Sequence, residues 1–328
     1  MSLVFTQFIK ILGRGNKGSR SLTVDEAQTA MSMMLVGEAA PEQIGAFWML
    51  IRIREETVDE TVGFTQAVRA FLSAKNADDH GIDLDWPAYA GKRNELPWFL
   101  LAALALADSG IKVLMHGHSF EGEDRLYVDE VISALALPIC LTGSSPKVTL
   151  QERHFAYMPL SSISPKLAQM MDLKYTLGLR SPVNTVVRMM NPFQASHSVH
   201  GVFHKGYDEL HVASSERLGD PSVLVFRGGN GEVEVNPERD VTLGKLHKEK
   251  VSWQTWPKAE QTHKRQKNNL DLSRLISHWR GEALDSFGEQ AVRQTLASVA
   301  GLLFNKSNQS ECLELADRIW QTRDRQKI

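Results

Sequence analysis

The stretch Met115-His116-Gly117-His118 follows a short apolar run from Ile111, so a strand end runs into a glycine-containing turn. Turns of this kind often cup a phosphate, because small residues let backbone N–H groups approach the anion. The residues that follow, Phe-Glu-Gly-Glu-Asp-Arg, work against that chemistry: Glu121, Glu123 and Asp124 repel an anion. A second cluster, His197, His200 and His204, offers imidazoles of the kind that favour zinc or nickel. A strand there puts His197 and His200 on opposite faces, so structural histidines are expected, and no metal is assigned to them or to His116 and His118. No nucleophile–base arrangement stands out elsewhere, and no cofactor is expected.

Two basic segments suggest a different partner. Residues 244–267 carry Lys245, Lys248, Lys250, Lys258, Lys264, Arg265 and Lys267 against Glu249 and Glu260, interleaved with Trp253 and Trp256. Cations displace condensed counterions from nucleic acid, and flat side chains give single-stranded bases a surface to stack on, at roughly 1–3 kcal/mol per base. The alternative is a solvated connector whose tryptophans pack back on the domain. Residues 10–20 form a glycine-rich basic loop holding Lys10, Arg14, Lys17 and Arg20, suited to backbone phosphates or simply joining two helices.

The elements that must position these residues fall into two kinds. The first 75 residues read as helical. Thr-Val-Asp-Glu occurs twice, at Thr23–Glu26 and Thr57–Glu60, and each copy is a capping box that opens a helix. Pro41 sits where a first helical turn tolerates proline. From about residue 80, short apolar runs alternate with helical patterns. Strands are expected at 111–117, 153–160 (with its exit loop), 197–204 and 221–229, with buried or amphipathic helices between them. That alternation implies a largely parallel sheet covered by helices. Residues 244–270 show no clear period, and the C-terminus returns to helices.

Bulk composition bounds the rest. The 328 residues are 42% apolar and 23% charged with a formal net charge of −2, and the cysteines are Cys140 and Cys312, so no disulfide framework is implied. The longest apolar run, Leu96 to Ala107, is 12 residues, too short to span a bilayer. The N-terminus does not read as a signal peptide, and a cytoplasmic location is expected.

The order of elements resembles that of the anthranilate phosphoribosyltransferases. The likeness runs through Val24–Phe64, Leu114–Ser119, Leu177–Ser181, Asn191–Pro192, Phe226–Glu234 and Thr295–Phe304, covering roughly residues 3–320. It implies an α/β protein with an all-helical N-terminal domain, of the nucleoside-phosphorylase-like phosphoribosyltransferase fold. The expected division is a helical dimerisation domain, residues 1–75 joined by helices from about 163–190, and an α/β domain from 76–162 and 191–328. A homodimer is implied.

The enzymes' diphosphate loop, Gly-Thr-Gly-Gly-Asp, falls on Tyr89–Glu95, where Gly91 survives and Lys92 and Arg93 occupy the rest. Their Lys-His-Gly-Asn turn becomes Met115–His118, their serines become Phe120–Arg125, and their magnesium-holding Asp-Glu pair falls on Val233-Glu234. The anthranilate-contacting arginine falls on Lys174. Gly91, His116, Gly117, His118 and Glu234 therefore read as a vestigial diphosphate site. Lys92 and Arg93 either extend a positive surface or fill the vacated pocket.

The pattern is most similar to the non-catalytic YbiB-type paralogue group, which implies a sequence-tolerant DNA- or RNA-binding protein with no membrane contact. The alternative is a divergent phosphoribosyltransferase using phosphoribosyl diphosphate and magnesium. A third reading is an interaction protein whose acidic stretch at 121–124 meets a basic partner.

Overall fold

A computed structural model describes residues 4–15, 17–73, 81–142, 145–260 and 267–328. The chain opens with four helices: α1 (Thr6–Gly13), α2 (Val24–Leu35), α3 (Pro41–Arg54) and α4 (Val58–Ser73). Both capping boxes form. The Thr23 hydroxyl accepts the Glu26 N–H at 3.3 Å, and the Glu26 carboxylate accepts the Thr23 N–H at 2.9 Å. Glu60 repeats this with Thr57 and also accepts the Leu22 N–H at 2.9 Å, which ties the start of α4 to the chain leading into α2. At the crossing of these two helices, a side chain on Gly63 would lie 2.3 Å from the Val24 carbonyl, so only glycine fits. Phe47, Trp48 and Phe64 fill the core beneath in edge-to-face contacts.

The α/β part follows as β1 (Leu84–Ala88), α5 (Phe99–Asp108), β2 (Val113–Gly117), α6 (Val128–Ala134), α7 (Pro146–Arg153), β3 (Phe155–Pro159), α8 (Leu160–Ile163), α9 (Pro165–Leu177) and α10 (Val183–Met189). Then come β4 (His197–Val202), α11 (Tyr207–Leu218), β5 (Ser222–Arg227), β6 (Val241–His247), β7 (Lys250–Trp256), α12 (Ser273–Arg280), α13 (Ser286–Leu303) and α14 (Gln309–Thr322). The seven strands are ordered β3-β2-β1-β4-β5-β6-β7, parallel from β3 to β5 and antiparallel beyond. Residues Phe99–Ala107 of α5 are all buried, as a helix with no polar face must be. The buried side chains of α9 and α10 join one apolar cluster with those of α1–α4.

Two departures from expectation concern strands. β1 is central although Pro87 lies inside it; it pairs with β4 only at Leu84 and Asp85, so the proline's missing N–H falls where that ladder has ended. The basic stretch after residue 240 is a hairpin, with Lys248 and Glu249 both at positive φ, as a two-residue turn between twisted strands requires. β7 is the sheet edge and nearly all exposed, which is why no alternating burial marks it in sequence.

Candidate functional site: a cationic cleft at the strand ends

The order of the sheet reverses between β1 and β4, and open α/β sheets hold ligands outside the carboxyl ends of strands at such a switch point. A cleft of about 540 Å³ lies there. Its floor comes from the segments after β1 (Ala90, Arg93), β2 (Glu123, Asp124, Arg125), β4 (Phe203, His204) and β5 (Asn230, Gly231), and its far wall from Arg52, Glu56, Lys174, Arg180, Asn184, Arg188 and Tyr207. Six cationic side chains therefore face three acidic ones. Glu56 is already engaged, accepting from the Thr185 hydroxyl at 2.6 Å and the Tyr207 hydroxyl at 3.2 Å.

The cations crowd each other. Burial first, then neighbouring Arg180, pulls the pKa of both Arg125 and Lys174 below the ordinary value. Burial lowers Arg188 to about 10, against the pull of Glu232. Among the described residues Arg188 makes no ion pair, donating instead to the Asn184 carbonyl, and Arg93 is exposed and unpaired as well.

Beneath the cleft, the place of a diphosphate cradle is filled from within. The Ala90 and Gly91 N–H groups both donate to the Glu232 carboxylate at 2.7 Å. Gly91 has φ +69°, and the Tyr127 ring lies over it, 2.8 Å from where a side chain would begin. Lys92 turns inward, only 1% exposed; it bonds Glu234, equally buried, and lies 3.3 Å from Glu95. Burial alone would lower the pKa of Lys92, but these two carboxylates raise it. The second Glu234 oxygen accepts the Phe99 N–H at 2.9 Å.

Placement corrects several expectations. Lys92 adds nothing to a positive surface; it fills the pocket, and Arg93 alone of that pair reaches the cleft. His116 is buried between the Tyr89 hydroxyl (2.6 Å) and Asp85 (3.0 Å), and His118 pairs with Asp172 at 2.8 Å, so the two histidines of the turn serve different partners. Gly117 packs against the Ala88 carbonyl. Arg20 is held bidentately by Glu26 at 2.6 Å. Lys245 caps α13 through the Gly301 and Lys306 carbonyls. Trp256 is a core residue, 2% exposed, and cannot stack on a base, whereas Trp253 is 43% exposed.

Lys10, Arg14, Lys17, Lys248, Lys250, Lys258 and Lys267 are exposed, with Lys10 on α1 rather than in a loop. Lys264 and Arg265 lie outside the described residues. Glu123, expected to repel anions, is countered by three cations. Reading along the chain missed Arg52, Arg125, Arg180 and Arg188 as site residues; the available signal was Arg188 as a lone charge in the apolar run of α10.

Residues 6–72 match the glycosyl transferase family helical bundle domain. Anthranilate phosphoribosyltransferase of Bacillus caldotenax is 31% identical over 226 residues, 68% of this chain and 92% of that protein. The Geobacillus kaustophilus enzyme is 31% identical over 68% of this chain and 66% of its own length. "Uncharacterized protein YbiB" of Escherichia coli K12 is 25% identical over 75% of this chain and 77% of its own.

The fold agrees. Anthranilate phosphoribosyltransferase from Thermus thermophilus superposes with a TM-score of 0.76 at 18% identity, covering 95% of this chain and 94% of that one. The Saccharomyces cerevisiae enzyme in complex with PRPP and Mg also gives 0.76, at 13% identity over 98% and 94%. Neither group bound to that yeast protein suits the corresponding residues here. Val233 offers no side-chain oxygen, Glu234 is committed to Lys92 and Phe99, and the Ala90 and Gly91 N–H groups are committed to Glu232. Among the described residues no helix is long and apolar enough to cross a membrane.

Proposed function

The chain belongs to the anthranilate phosphoribosyltransferase-like family, and from that premise we propose that it is a divergent member whose cleft binds a phosphate-bearing small molecule through cationic side chains. The side chains replace the backbone cradle and the metal. The observation that carries this reading is the convergence of Arg52, Arg93, Arg125, Lys174, Arg180 and Arg188 on one cleft at the sheet's switch point. The cleft volume falls within the range of small-ligand sites.

Arginine suits phosphate because its planar fork donates two parallel hydrogen bonds. Arg188 is held half-buried under the cleft wall, where low dielectric strengthens its attraction for an anion. Phe203 and Tyr207 supply aromatic surface at the same opening. The chain's own residues thus bind and orient an anion, and no transfer step through magnesium is derived for them.

Calorimetric titration with phosphoribosyl diphosphate in a chelator tests this. Binding that Arg188→Ala weakens supports the reading; no heat at millimolar ligand removes it.

A second reading, polyanion binding, is favoured by the hairpin that carries exposed Lys248 and Lys250 beside half-exposed Trp253. It predicts binding to single-stranded DNA or RNA that falls steeply with salt. Charge reversal at Lys248 and Lys250 then weakens all sequences alike. Membership of a non-catalytic group belongs to this reading, as does pairing of two copies into a homodimer, which light scattering on the purified chain tests.

A further inference from the structure

Glu123 lies between β2 and α6, and its carboxylate is the point on which one side of the cleft converges. The Tyr127 hydroxyl donates to Oε2 at 2.6 Å, Arg180 Nη2 lies 3.2 Å from the same oxygen, and Arg125 Nε lies at 3.6 Å. Lys174 contacts the other oxygen. Lys174 and Arg180 also sit over the Phe120 ring, 4.5 and 5.4 Å from its centroid. Three cations delivered from two parts of the chain thus surround a single negative charge and leave positive charge in excess. Like charges held this close repel one another unless an anion lies between them.

Glu123 is the anion that this chain supplies to that place. Its segment is short and mostly exposed, while Lys174 and Arg180 are held by α9 and the turn after it, and Arg125 donates to the Ala90 and Gly91 carbonyls at 3.0 Å. The carboxylate can therefore leave without unpacking the core.

Building on the proposed cleft function, we infer that Glu123 is an internal stand-in for the phosphate of a phosphomonoester, and that ligand binding displaces it. A phosphomonoester dianion suits this cluster better than a carboxylate does. It brings a second negative charge to three cations, and its three terminal oxygens can accept from Arg125, Lys174 and Arg180 separately, where the planar carboxylate has two. Phosphodiesters carry one charge per phosphate and fit the same donors less completely. The wild-type protein thus holds its cleft in a partly neutralised state, and its apparent affinity is reduced by the fraction of time that Glu123 occupies the site.

The test compares wild type with Glu123→Gln, titrating phenyl phosphate by calorimetry, with an oligothymidylate as the phosphodiester arm. Glu123→Gln is expected to bind phenyl phosphate roughly tenfold tighter, since hydrogen bonds to charged groups are the stronger kind. Lys174→Ala in the same background is expected to lose that gain. A wild type that binds while Glu123→Gln binds no tighter overturns the inference and leaves the cleft reading standing; no binding by either protein overturns both. A larger gain for the oligothymidylate overturns the monoester assignment.

Should the variant fail to fold, hydrogen exchange on the wild type decides instead. Phenyl phosphate is expected to speed exchange across residues 121–125 as the carboxylate is released. Unchanged or slowed exchange there, at saturating ligand, overturns the displacement.

Discussion

Replacing Lys92 with methionine keeps the side chain's length and removes its charge, which isolates what the buried ammonium does. Lys92 lies against Glu234 and 3.3 Å from Glu95, all three within the protein interior. At an effective dielectric near 20, the Glu95 attraction alone is about 5 kcal/mol, and each ion gives up several kcal/mol of hydration. These largely cancel in the intact cluster, so its net contribution to stability is small. Removal of one partner does not cancel: the Glu234 carboxylate is left buried without its cation, and the loss is about 3–5 kcal/mol.

The loss must depend on pH. In Lys92→Met the folded state holds protons on Glu234 that the unfolded state releases above about pH 4.3. The variant's stability therefore falls as pH rises, and its deficit is larger at pH 8 than at pH 5. Urea unfolding followed by tryptophan fluorescence measures both. The double variant Lys92→Met/Glu234→Gln is expected to recover at least half of the deficit. A deficit under about 1 kcal/mol, or one that does not vary with pH, refutes a buried Lys92 and returns it to the surface.

Other outcomes follow from the same structure. Trp256→Ala is expected to cost about 3–5 kcal/mol, as large core truncations do, and Trp253→Ala under about 1 kcal/mol; equal losses contradict the assigned burial. Gly63→Ala forces apart α2 and α4 and is expected to cost about 1–3 kcal/mol by thermal or urea unfolding. His200 and His211 are buried with their Nδ1 atoms 3.4 Å apart. Burial lowers His200 to about 3 and His211 well below its usual value. The unfolded chain binds those protons below about pH 6.5 while the folded chain does not, so stability falls toward acid by up to about 1.4 kcal/mol per pH unit for each histidine. His200→Asn is expected to flatten that slope between pH 6.5 and 4, as urea midpoints across the range would measure.

What sequence revealed and hid has a physical pattern. Capping boxes at Thr23 and Thr57 are local chemistry, so they were legible, as were β2, β3, β4 and β5, whose apolar runs a buried parallel sheet demands. The hairpin β6–β7 was hidden because an edge strand has no buried face to impose alternation. The replacement of the phosphate-loop residues was legible at Gly91–Arg93, but not what filled the space: Glu232 and Glu234 lie some 140 residues further on and arrive there only through folding. The cationic cleft was hidden for the same reason, its arginines coming one at a time from α3, the segment after β2, the turn after α9, and α10. Counting charge along the chain favoured the basic segments, where Lys245, Arg20 and Trp256 turned out to have partners of their own.

A crystal structure with phosphoribosyl diphosphate bound tests the central claim most directly. The account predicts phosphate oxygens on the arginine and lysine side chains of the cleft, with the Ala90 and Gly91 N–H groups still donating to Glu232 and no metal at Glu234. A diphosphate seated on those two N–H groups, with magnesium held by a Glu234 freed from Lys92, would contradict it.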